Sequence, residues 1–282
     1  MTLIPNQFIN SVVSIGITGA DGKYISIGTG FFAGKKSADG GGIYPYLVTN
    51  RHVLKNKREV FIRVVKKDSE DLSIYPVYLF DKEGNSYVKT YSDEKIDIAV
   101  VFLNAKAILD LFNMDKVYFL DIDSNILTSD DYMKLGGNLG DPILMLGFPM
   151  GIIDQYTNFP ICRSGCIARI NSKDVKNNKS FLVDIQNFPG SSGSPIFSCP
   201  QFVSIVGSEP ITRSALIGII HSYIPYRENL INSQTQELVE IRSENSGLAI
   251  ANPAEYIVEI IMSDLKEKGF IQREEIPQEV CN

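Results

Sequence analysis

Apolar residues in this chain come in short runs, each broken by Gly, Pro, Asn or Asp. Val12-Val13-Ser14-Ile15-Gly16-Ile17 and Tyr24 to Phe32 predict two strands joined at the Ala20-Asp21-Gly22 turn. Lys35 to Gly42 is a polar, Gly-rich loop, and Tyr46 to Thr49 is a strand that runs into Asn50-Arg51-His52-Val53-Leu54. Val60 to Val65 and Ile74 to Phe80 predict a further strand pair, followed by a turn at Asp81 to Gly84. Ile96 to Leu103 is apolar almost throughout, with Asp97 as its single carboxylate. Ala105 to Phe112 predicts a short helix, and Asp121 to Asn138 an exposed polar connection between two halves.

A second set of strands follows: Pro142 to Gly147, Cys162 to Ile170, Phe181 to Ile185, Ser194 to Phe197, Ala215 to Ile220 and Gly247 to Ile250. Many short strands with frequent turns favour barrels or sandwiches. One strong helix signal comes late. Asn252 is placed to cap, Pro253 to take the first helical position, and Glu255 to complete a capping box. Ile257, Ile260, Ile261 and Leu265 share one face, and Gly269 is the expected stop. This helix is expected to pack on the second half, with a loose tail after Ile276.

Composition narrows the function classes. The 282 residues are 44% hydrophobic and 21% charged, ordinary for a globular protein of one or two domains. A net charge of −6 without a basic run argues against nucleic acid as a partner. No apolar stretch is long enough to span a membrane, and the N-terminus shows no signal segment, so a cytoplasmic location is expected. Cys162 and Cys166, on one strand, would lie ~13 Å apart, too far for a disulfide. With Cys199 and Cys281 they read as reduced thiols. Two histidines far apart and no HExxH make a metal site a poor expectation, and no cofactor is implied.

The chemistry concentrates in Phe188-Pro189-Gly190-Ser191-Ser192-Gly193-Ser194-Pro195. Glycines around a serine permit a sharp turn that lifts one hydroxyl and aims two backbone N–H groups at one point. Ser192 is the candidate nucleophile. A serine hydroxyl needs a base, and imidazole is the usual one. His52, at the end of an apolar strand, fits that role. Asp97 fits as the group that orients the base, because a carboxylate inside an apolar run is costly to bury unpaired. The order His52, Asp97, Ser192 excludes an α/β-hydrolase, which runs Ser, acid, His.

These pieces resemble the trypsin-like (chymotrypsin-fold) serine peptidases, particularly the bacterial, disulfide-free kind related to high-temperature-requirement proteases and glutamyl endopeptidases. The matching stretches are Gly28-Thr29-Gly30-Phe31, Leu47 to Val53, Asp97 to Val100, Leu146 to Gly151, Gly190 to Pro195, Leu216 to Ile219 and Gly247 to Ile250. The resemblance implies an all-β fold of two antiparallel six-stranded barrels with a C-terminal helix. The first barrel would span residues 1–120, a connection 121–140, the second barrel with its helix 141–270, and a tail 271–282. It implies serine endopeptidase activity on a protein or peptide substrate, with the backbone N–H groups of Gly190 and Ser192 as oxyanion hole. The specificity pocket would be lined by Gln186, Asn187, Phe188 and Pro189 and by His221, Ser222 and Tyr223. No carboxylate lies in either segment, so a weak preference for Lys or Arg before the cut is expected. Secreted trypsins carry Asp before the nucleophile, where this chain has Ser191, so activation by an inserted N-terminus is not expected. His221 stands where many relatives have Ser, and could face either an acidic substrate residue or Asp97. The competing reading is an idle or activator-dependent binding module, with the loops 34–45 and 121–138 as contacts for an activator.

Overall fold

The computed structural model describes residues 4–38, 40–201 and 210–271. Cys281 and the expected tail after Ile276 lie outside the described residues. The first half holds β1 (Val12–Thr18), β2 (Tyr24–Lys36), β3 (Ile43–Asn50), β4 (Glu59–Val65), β5 (Leu72–Tyr78), β6 (Val88–Thr90), β7 (Ile98–Phe102) and β8 (Leu120–Asp121). They form one sheet in the order β5-β4-β1-β2-β3-β7-β6, with β8 parallel to β2. The second half holds β9 (Pro142–Gly147), β10 (Ile161–Arg169), β11 (Phe181–Asp184), β12 (Pro195–Ser198), β13 (Leu216–Ile231) and β14 (Leu238–Pro253). These close into a six-stranded barrel, β10-β11-β14-β13-β12-β9. Among the described residues six α-helices accompany them, α1 (Asn6–Ile9), α2 (Arg51–Leu54), α3 (Ala105–Leu111), α4 (Ser129–Lys134), α5 (Ser172–Asn178) and α6 (Glu255–Glu267), with a 3-10 turn at Pro149–Gly151.

The expected all-β architecture holds, with one difference in the first half. The place of its sixth strand is divided. β5 pairs with β4, β6 pairs with β7, and the turn predicted at Asp81 to Gly84 lies between them, tied by a bridge from Phe80 to Ser86. Among the described residues the sheet therefore stays open between β5 and β6.

Burial explains why some strands read as unbroken apolar runs. Successive strand residues face opposite sides. On β7, Ala99 and Val101 face the interior of the first sheet, while Ile98 and Val100 join a cluster between the halves. On β9, Ile143 and Met145 face the second barrel's interior, while Leu144 and Leu146 join that same cluster. Phe31, Val48, Phe148 and Phe197 complete it from both sides. Both faces of these strands are dry, so alternation is lost.

Three expectations need correction. The stretch Asp121 to Asn138 is not an exposed connection: Ile122, Ile126, Leu127 and Tyr132 are buried, and α4 forms within it. The capping box at Asn252 does not form. Pro253 still belongs to β14, Ala254 takes the cap position without a side-chain bond, and Glu255 instead accepts from the Ser129 N–H and hydroxyl. Helix α6 also leaves the second barrel and crosses to the first sheet. Its buried Asp264 accepts from the Tyr46 hydroxyl at 2.8 Å, and its Glu267 pairs with Lys89 on β6.

Candidate active site

Strand β3 ends at Asn50, and the single turn of α2 carries His52. Val53 and Leu54 are buried and anchor that turn, leaving the imidazole half exposed. The Asn50 side chain and the Arg51 N–H both donate to the Asp97 carbonyl, at 2.8 and 3.1 Å. They lock the end of β3 to the start of β7. Asp97 is 5% exposed, and both of its carboxylate oxygens contact His52. Oδ1 accepts from the His52 backbone N–H at 3.1 Å, and Oδ2 meets His52 Nδ1. A buried carboxylate needs such partners, since leaving it bare costs several kcal/mol. With Nδ1 engaged, Nε2 is the nitrogen left for a substrate-side proton.

The second barrel supplies the serine. Gly190 and Gly193 have φ of +94° and +87°. A Cβ on Gly190 would sit 2.5 Å from the Phe148 carbonyl oxygen, and one on Gly193 2.1 Å from that of Thr29. Only glycine fits this turn. The Ser191 N–H donates to the Phe188 carbonyl and the Ser194 N–H to that of Ser191. Among the described residues, the N–H groups of Gly190 and Ser192 have no protein acceptor. Two unspent donors beside one hydroxyl suit an oxyanion.

One residue of the first sheet fixes this turn. The Thr29 hydroxyl donates to the Gly190 carbonyl at 2.8 Å and accepts from the Phe148 N–H at 3.0 Å. Its own N–H donates to the Ser192 carbonyl at 2.8 Å. Asn252 bridges the halves near Asp97 in the same manner. Its Oδ1 accepts from the Asp97 N–H at 3.1 Å, and its Nδ2 donates to the carbonyls of Lys95 and Lys179.

His52, Asp97 and Ser192 line one cleft of about 500 Å³. Of the expected pocket residues, Asn187, Phe188, Pro189, His221, Ser222 and Tyr223 line it too. Gln186 does not: it is exposed and lies off the cleft wall. The Ser192 hydroxyl and the His52 ring share the cleft without a hydrogen bond between them. Such bonds often tighten only when substrate arrives. His221 sits at a bulge in β13, where the pairing with β14 shifts between Ile220 and Ser222. Its Nε2 lies 3.7 Å from Asp97 Oδ2, so it faces the Asp97 carboxylate. Burial holds its pKa below the ordinary histidine value, against the pull of Asp97. Among the described residues no cluster of His, Cys, Asp and Glu is arranged to hold a metal ion.

Sequence reasoning missed Arg51 and Glu94, which also line the cleft. Arg51 Nε lies 4.0 Å from Asp97 Oδ1, and its Nη2 donates to the Glu94 carbonyl. Arg51 adjoins His52 in the chain, a signal that adjacency alone offered.

The family model of the trypsin-like peptidase domain matches residues 28–204, more than half of the chain and all three of these side chains. The chain belongs to the trypsin-like peptidase family. A curated relative, named a probable periplasmic serine endoprotease DegP-like, from Hahella chejuensis, is 27% identical over 191 residues. That match covers 67% of this chain but only 31% of the relative, so the chain spans about a third of its length. Two solved structures resemble this trypsin-like chain. The MamO protease domain from Magnetospirillum magneticum is 13% identical, with a TM-score of 0.47, over 90% of this chain and 96% of its own. The HtrA-type protease AlgW, solved with a decapeptide, is 16% identical, with a TM-score of 0.46, over 92% of this chain and 66% of its own.

Proposed function

We propose that the chain is a serine endopeptidase that forms an acyl-enzyme on Ser192. Ser192 Oγ attacks the scissile carbonyl carbon while His52 Nε2 takes its proton. The developing oxyanion is held by the N–H groups of Gly190 and Ser192. The C–N bond then breaks, and His52 gives the proton to the departing amine. Water, deprotonated by the same imidazole, hydrolyses the ester and frees Ser192. Asp97 holds His52 in the needed tautomer and stabilises the imidazolium. The observation that carries this reading is one cleft that holds both the His52–Asp97 pair and a serine with two unspent N–H donors. A binding module that did no chemistry would need none of these.

The substrate is a protein or peptide. Asn187, Phe188, Pro189, Ser222 and Tyr223 form the wall we assign to the side chain before the cut; none of the five is a carboxylate, and Glu94 lines the cleft next to Arg51 instead. Weak cleavage after Lys and Arg is therefore expected. The boundaries 1–120, 121–140 and 141–270 also stand as our proposal. No described helix is long and apolar enough to cross a membrane. A cytoplasmic location is supported by the free thiols of Cys162, Cys166 and Cys199. The curated relative is named as periplasmic, and cell fractionation decides between the two.

The test is digestion of a peptide library by the wild-type chain and by Ser192→Ala, with the flanking residues of each cut read by mass spectrometry. Cleavage by the wild type alone supports the reading. Equal cleavage by Ser192→Ala rejects it.

A further inference from the structure

The divided sixth strand of the first sheet leaves a groove that the peptidase reading does not use. It has a volume of about 890 Å³, within the roughly 300–1,000 Å³ that holds a drug-sized ligand. Its mouth lies between β5 and β6, the two strands that do not pair with each other. Its floor is the core of the first sheet: Ile62, Val77, Val101, Ile108 and Phe112 are each under 9% exposed yet line it. Around it stand apolar residues left in water, Tyr78 (61% exposed), Tyr87 (48%) and Leu111 (43%).

The charge around this groove has one sign. Lys89, Lys106 and Lys268 line it, and no Asp or Glu does among the described residues. Lys89 and Lys268 are paired from behind with Asp264 and Glu267 on α6. Lys106, exposed on α3, has no carboxylate partner among the described residues. An apolar floor with an uncompensated ammonium at the rim fits an amphipathic anion.

We propose that this groove binds a long-chain carboxylate, with its acyl tail on the core residues and its headgroup at Lys106. An acyl chain suits this apolar floor. It carries no N–H or C=O groups that would lose their water against Ile62, Val101 and Phe112. The inference stands independently of the chemistry at Ser192.

The test is isothermal titration calorimetry of the full chain with sodium laurate below its micelle concentration. Saturable binding of one laurate per chain is expected. Decanoate, two methylenes shorter, should bind about ten-fold more weakly. Lys106→Glu, at an exposed position that leaves the fold alone, should weaken laurate about five-fold. Ala107→Phe, which fills the groove, should abolish binding. Circular dichroism confirms that both variants are folded. Absence of saturable binding overturns the proposal, including the case in which another part of this chain or a second copy already fills the groove. Uptake of many laurates per chain, or equal affinity in both variants, overturns it as well.

Discussion

Every polar atom of Asp97 has a partner. Its N–H donates to Asn252, its carbonyl accepts from Asn50 and Arg51, and its two carboxylate oxygens meet His52. Asp97→Asn keeps the shape but offers His52 an amide, which favours the wrong tautomer. Turnover should fall by ~10⁴-fold with little change in KM, the loss typical of a Ser-His-Asp triad so altered. Steady-state kinetics on a cleaved library peptide checks this. His221 predicts a pH dependence. Burial depresses its folded-state pKa below the ordinary value of about 6.5. The unfolded chain then binds the proton first, so the stability contributed is full above that pH and is lost as pH falls below it. Thermal unfolding between neutral and mildly acidic pH should therefore show the wild type losing stability faster than His221→Ser. Parallel curves would contradict this. His52, Asp97 and Ser192 were legible because each sits in a short, typical context in a fixed order. Asn252 and Thr29 were not, because their partners lie 155 and 161 residues away. Asn252 even imitates a helix cap.

At the scale of elements, the nucleophile turn belongs to the second barrel but is held by a threonine on β2 of the first sheet. Thr29→Val keeps the volume and removes the hydroxyl, leaving the buried Phe148 N–H without its acceptor. A loss of about 1–3 kcal/mol in urea unfolding is expected. Turnover should fall with it, since the Gly190 carbonyl also loses its donor. Strands with apolar runs were readable, as were α3 and the face of α6. The short helices α1, α4 and α5 were not, and neither were two features of the sheets. The outer part of the β13–β14 hairpin, Tyr226 to Ile241, is exposed on most positions and carries no alternation to read. The division of the sixth strand is a matter of pairing, which the turn at Asp81 to Gly84 marked without revealing. The crossing of α6 to the first sheet was hidden for the same reason: an apolar face shows that a helix packs, not on what.

For the whole molecule, the cluster between the halves makes one unit of two sheets. Phe31, Val48 and Ile98 from one side meet Leu146, Phe148 and Phe197 from the other, with Ile257 and Ile261 of α6 joining them. Shared burial of this kind couples unfolding. A single cooperative transition is expected, identical by circular dichroism and by tyrosine fluorescence. Phe197→Ala should cost about 3–5 kcal/mol and still give one transition. Two separate steps would show that the halves are independent.

The catalytic reading depends on the first half's imidazole reaching the second half's hydroxyl. Diisopropyl fluorophosphate, followed by mass spectrometry of the digested protein, measures that directly. One adduct is expected on Ser192 in the wild type, with labelling nearly abolished in His52→Ala. An adduct on another residue, or labelling of Ser192 that is indifferent to His52, would contradict it.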